Sequence, residues 1–129
     1  RRNNSGWTPW RRVYDTETVV GTVAQSGGVP SGAVIERGAN ANGEFLRLAD
    51  GTQLCWRTLT GSTGAASTWT FPAAFVAAPV VTGTAVATAL SAVCLDAAPG
   101  ATAATVSARD GAGARRADVM HLTACGRWF

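Results

Sequence analysis

Lysine is missing from these 129 residues, and histidine occurs once, at His121. All 11 cationic side chains are therefore arginines, giving a formal net charge of +3. They stand singly or in pairs (Arg1–Arg2, Arg11–Arg12, Arg115–Arg116), without the aromatic-interleaved basic stripe that tracks a phosphate backbone, which argues against nucleic acid as a partner. No run approaches the ~18 consecutive apolar residues of a membrane span, and no leader pattern opens the chain. Membrane insertion is not expected. Because the chain does not begin with methionine, it is expected to be a fragment or a processed C-terminal piece of something longer. Cysteine is scarce too. Cys55, Cys94 and Cys125 are odd in number, form no CxxC and lie 39 and 31 residues apart (94−55 and 125−94). That excludes a secreted-type disulfide framework, and the expectation is three reduced thiols pointing into a core.

Catalytic furniture is equally thin. His121 sits mid-strand in "DVMHLTAC", where a histidine reads as a strand residue more naturally than as a general base. It shares a strand face with Cys125, but no local ligand pair supports a zinc site. Glu36, Glu44, Asp50, Asp96, Asp110 and Asp118 could supply the two carboxylates of a glycosidase, yet most fall in turns that aspartate favours for its own geometry. The glycines build no phosphate-binding loop ahead of a helix. No catalytic role, metal or cofactor is assigned, and the chain is expected not to be an enzyme.

What is present points to strands. The hydrophobic share is 47 % against 15 % charged, enough for a packed core. Much of it is alanine, so the core of one chain is thin and a partner chain is expected to add burial. Helical periodicity is lacking; "FPAAFVAAP" (71–79) is bracketed by Pro72 and Pro79 into one turn at most. The best-patterned stretch is "NANGEFLRLADGTQLCWRTL" (40–59). Phe45, Arg47 and Ala49 fall on one face and Leu46 and Leu48 on the other. Asp50-Gly51 suits a two-residue type I′ turn, and Thr52, Leu54, Trp56 and Thr58 then alternate with Gln53, Cys55, Arg57 and Leu59. Further strands are predicted at 67–71, 79–88, 91–95, 102–109 and 116–125, with turns at 96–100 and 110–114. The fold class is all-β: an antiparallel β-sandwich of about seven short strands. Residues 1–43 read as an extended arm with one strand near 10–14 or 18–24, and 44–129 as the sandwich. Trp7, Trp10 and Tyr14 on that arm need another chain to cover them.

Recognition chemistry remains. Trp56, Trp69 and Trp128 offer flat faces on which a sugar ring can stack, although packing is the favoured reading for each. Short charged turns on a rigid sheet are where binding groups usually sit. If the strands run up and down from the arm, the 50–51 and 110–114 turns both fall at the end away from it. Asp50, Arg109, Asp110, Arg115 and Arg116 would then share one rim, whose arginines suit an acidic glycan by bidentate pairing. The sheet face around Trp56 is the other candidate.

Three motifs in order, "GAVIERGANANGEFLRLADGTQLCWRTL", "STWTFPAAFVAAPVVTGTA" and a terminal "LTACGRWF", resemble the C-terminal domain of bacteriophage tail-fibre proteins over residues 32 to 129. Such modules also occur in prophages and gene transfer agents. The resemblance implies a homotrimeric fibre or spike tip on the surface of a virion or phage-like particle. It would be made in the bacterial cytoplasm, joined to the rest of the fibre upstream, and would attach the particle to host cell-surface polysaccharide. The alternative is a trimerisation or folding-cap domain that touches no receptor. A capsule depolymerase ranks third, since its usual long β-helix does not fit in 129 residues.

Overall fold

The computed structural model describes residues 11–129. Trp7 and Trp10 lie outside the described residues, as does the start of the 10–14 prediction. Among those described, the regular structure is β-strand alone. One sheet has five antiparallel strands in the order β3 (Ile35–Asn40), β4 (Gly43–Leu48), β5 (Thr52–Thr60), β11 (Val119–Arg127) and β7 (Val80–Val86). The facing sheet is built on β9 (Ala103–Arg109). β8 (Ala92–Leu95) flanks one edge, while β6 (Ser67–Thr70) and the two-residue β10 (Arg115–Arg116) lie end to end along the other. A small hairpin, β1 (Gln25–Ser26) with β2 (Val29–Pro30), decorates the arm.

The sandwich fills its core from alternate positions of both sheets. Cys55, Met120, Leu122 and Ala124 face inward from the larger sheet, and Trp69, Ala104, Val106 and Ala108 from the smaller. Small residues on β9 leave room for aromatics. Trp69 packs edge-on against Phe71 at 4.9 Å, and Phe71 against Phe75 at 5.2 Å. The alanine-rich core is thus thickened by an aromatic ladder from one short stretch, and edge-to-face packing suits the ring quadrupoles. Trp69 is fully buried, and its Nε1 donates to the Asn42 carbonyl at 3.0 Å.

Several predicted boundaries move. The 116–125 strand is really two pieces. Arg115–Arg116 pairs with β9, and the chain then crosses at Ala117–Asp118 to the larger sheet, where β11 runs from Val119 to Arg127. No helical turn forms over 71–79, in keeping with its bracketing prolines. Of the arm strand, 18–24 supplies one parallel bridge, Val20 to Ile35, and the described residues 11–14 form no strand. Ile35–Asn40 was not foreseen as a strand, and it pairs with β4 in a hairpin that spans the division between 43 and 44. Tyr14 donates to the Gly32 carbonyl at 3.3 Å, so this part of the arm folds back on its own chain.

The β4–β5 turn differs from the type I′ expected. Leu48 and Thr52 flank three loop residues, Gly51 N–H donates to the Leu48 carbonyl at 3.1 Å, and Gly51 alone has positive φ (97°). This matches the three-residue hairpin, a type I turn closed by a left-handed glycine. Asp50 keeps negative φ and uses its carboxylate instead, accepting from Thr52 N–H at 2.8 Å. The cysteines also scatter. Cys55 is buried, and burial pushes its thiol pKa up. Cys125 is exposed on the outer face of β11, and Cys94 is half-buried beside Ser107. Strand alternation forces this, since Leu122 and Ala124 take the inward positions.

Candidate functional site

The expected charged rim does not exist, because its two turns lie at opposite ends of the sandwich. At one end Thr52 pairs with Arg127, and Ala49 N–H bonds the Val34 carbonyl, so the Asp50-Gly51 turn sits where the arm enters. At the other end Thr60 pairs with Val119 and Gly61 N–H bonds the Asp118 carbonyl. Arg116, two residues earlier, pairs with Ala108 on β9, and Arg109 then leads into the 110–114 turn. The up-and-down count fails at 71–79, where the chain turns a corner and brings β7 in beside β11.

Each turn residue also has local work. The Asp50 carbonyl accepts from Arg127 Nη2 at 3.1 Å, and the Gly51 carbonyl from Trp128 N–H at 2.9 Å. Trp128 Nε1 donates to the Leu48 carbonyl at 2.8 Å. The turn is a seat for the C-terminal "GRWF", and the Thr52 N–H holds the Asp50 carboxyl below its ordinary pKa. Across the molecule, Asp96 is a hub. Its carboxylate accepts from Ser107 Oγ at 2.8 Å, Arg109 Nη2 at 3.1 Å and Arg115 Nη2 at 3.1 Å. Asp110 Oδ1 accepts from the N–H groups of Ala112 and Ala114, closing its own turn. Arg116 pairs with Asp118. The three arginines thus have intramolecular carboxylates, which leaves them poorly placed to meet an acidic ligand.

Asp96 makes an acid-stability prediction. The Ser107 hydroxyl, then Arg109, lowers its pKa from 3.8 to about 2. Between those values the unfolded chain takes up the proton first, so the stabilisation is complete above about 4 and is lost as pH falls through about 2. Thermal melts followed by circular dichroism should show Tm falling across this window. Asp96→Asn should lower Tm at pH 7 and flatten the fall; an unchanged acid limb would mean that another carboxylate governs it.

Trp56 is different. It lies on the outer face of the larger sheet, opposite Glu44 on β4 and Thr123 on β11, with the Thr58–His121 pair next along. The Arg37 guanidinium sits over its ring, 5.6 Å from the centroid, and is itself held by Glu44 at 2.8 Å. A cation over the ring fixes the indole's orientation. Beside it is a depression of about 480 Å³ lined by Gly43, Glu44, Trp56, Arg57, Thr58, His121, Leu122 and Thr123. That volume is in the range of ligand clefts, ~300–1,000 Å³. The hollow forms because β5 and β11 run on past the point where β4 begins at Gly43. Of the six residues singled out from sequence, only Trp56 belongs to it. Arg37, Glu44, Thr58, His121 and Thr123 were missed as site residues. Alternation on β5 put Trp56 and Thr58 on one face, but nothing local said that this face is the outer one. Among the described residues no three His, Cys, Asp or Glu side chains gather in a metal-binding cluster.

No family model matches the chain, and no curated protein matches it. Solved structures do. A C-terminal fragment of the P. aeruginosa R2 pyocin fibre superposes with a TM-score of 0.56 at 17% identity, over 98% of this chain and 38% of that one. An N-truncated R2-type pyocin tail fibre gives 0.56 at 19% identity, over 97% of this chain and 56% of the other. The fold is that of a phage-type tail fibre. The tail-fibre expectation from the three sequence motifs is met at the level of fold. This chain spans less than two thirds of either fragment, and at these identities the tail-fibre likeness lies in the backbone.

Proposed function

We propose that the chain is a non-enzymatic adhesin, a fibre or spike tip that attaches a phage-type particle to host cell-surface polysaccharide. The tail-fibre fold over nearly the whole chain carries this reading. The oriented Trp56 beside a ligand-sized hollow supports it, because sugar rings stack their C–H faces on fixed aromatics. Glu44 is the one carboxylate lining that hollow among the described residues, whereas glycoside hydrolysis ordinarily needs two. The purified chain should bind encapsulated bacteria, lose them after periodate oxidation of surface sugars, and keep them after protease treatment. The opposite pattern would identify a protein receptor. Release of reducing sugar would make it an enzyme.

A homotrimer is part of the same proposal. Leu46, Leu54, Cys125 and Val80 form one apolar row across the outer sheet face, with Val80 70% exposed. That row also favours the second reading, a trimerisation cap, which binding to no cell type would select. Light scattering should give three times the 13.2 kDa chain mass; a stable monomer at micromolar concentration would exclude the trimer.

A further inference from the structure

We infer that the hollow beside Trp56 takes an uncharged pyranose, its C–H face stacked on the indole and its hydroxyls met by Glu44, Thr58, His121 and Thr123. This rests on the adhesin reading and adds the place and the ligand class. In the β5–β11 register Trp56 pairs with Thr123 and Thr58 with His121, which puts all four on the outer face of the larger sheet. Thr58, His121 and Thr123 are exposed, so their donors and acceptors are open to a ligand lying against the half-buried ring. Charge decides the class. Arg57 alternates with Trp56 and points to the core side with its partner Leu122, so it brings no cation to the outer face. Arg37 sits over the ring, and its Nη2 donates to Glu44 Oε2 at 2.8 Å. An acid that took Arg37 would leave Glu44 unpaired beside it, two like charges in one hollow. The second Glu44 oxygen, Oε1, has no donor among the described residues, and an ionised carboxylate only accepts. Sugar hydroxyls supply the donors it lacks, and an ionised uronate or phosphate group does not.

The purified chain is applied to an array of neutral gluco-, galacto- and manno-oligosaccharides. Each is paired with an acidic counterpart: oligoglucuronate, oligogalacturonate and a phosphorylated mannoside. Binding to the neutral member should exceed that to the acidic one by about 10-fold or more for at least one pair, and the pair that responds names the sugar. Trp56→Ala should weaken that binding by about 10-fold or more, as for an aromatic anchor, with Trp56→Phe retaining most of it. Thr123→Val, which keeps the shape and removes the hydroxyl, should cost about 3-fold. Glu44→Gln should erase the discrimination against the acidic member, because it removes the repelling charge and releases Arg37. Unchanged light scattering and melting of each variant separate site loss from misfolding. If the wild-type chain binds glycans but all variants bind equally, the site is elsewhere and the adhesin reading stands. Acidic members bound as well as or better than neutral ones overturn the ligand class. Binding to no glycan overturns the adhesin reading and this inference together.

Discussion

Trp69→Ala is expected to destabilise the domain by about 3–5 kcal/mol, the range for emptying a large buried aromatic site. The indole is fully buried, packs edge-on against Phe71 at 4.9 Å and donates to the Asn42 carbonyl at 3.0 Å. Its partner across the β6–β9 register is Ala104, which has no side chain to move into the void. The lost bond to Asn42, in the β3–β4 turn, also removes one tie between the two sheets. Against a typical stability of about 5–15 kcal/mol, the loss takes a large share of the total. Urea unfolding should show a much lower midpoint with a similar slope. Trp69→Phe should fall between, since it keeps a ring but leaves the carbonyl unpaired. A midpoint within error of wild type would mean that the sandwich core is organised around other residues.

Gln53→Leu should destabilise by about 2–3 kcal/mol, although the two side chains are close in volume and such swaps into apolar cores are often mild. Gln53 is fully buried. Its Nε2 donates to the Ala73 carbonyl at 2.9 Å and the Ala74 carbonyl at 3.2 Å, and its Oε1 accepts from Arg47 Nε at 2.7 Å. One amide therefore pins the 71–79 corner to the central hairpin. Leucine would fill the space and leave those partners unmatched, and an unmatched part-buried polar group costs more than a hydrogen bond gains. Limited proteolysis should cut the variant within 71–79 under conditions that leave the wild-type chain whole. Equal resistance, with an unchanged urea midpoint, would show that the corner is held by Phe71 and Phe75 alone.

Gln53 and Trp56 show why the site was only half legible. Both faces of β5 carry apolar residues, Leu54 and Trp56 on one and Cys55 and Leu59 on the other. Hydrophobicity alone would turn the tryptophan inward and the glutamine out. The reverse holds because carbonyls 20 and 21 residues further on satisfy the glutamine. No local pattern carries that information. Asp96 was equally opaque. In "DAAPG" it reads as a turn residue, and its ties to Arg109 and Arg115 span 13 and 19 positions.

The sequence by itself determined the features whose physics is local. Period-two alternation marked the strands, glycine and proline marked the breaks, and the Asp50-Gly51 pair marked a tight hairpin. The three motifs pointed to the tail-fibre fold. Tertiary structure alone decided which strand lies beside which. The last strand, β11, inserts between β5 and β7, a pairing whose reward arrives only once a long loop has closed. That insertion fixes which face of β5 is covered and puts the two charged turns at opposite ends. It also sets His121 and Thr123 beside Trp56. A side chain's partner across a sheet depends on register between distant segments, and register is a property of the folded whole.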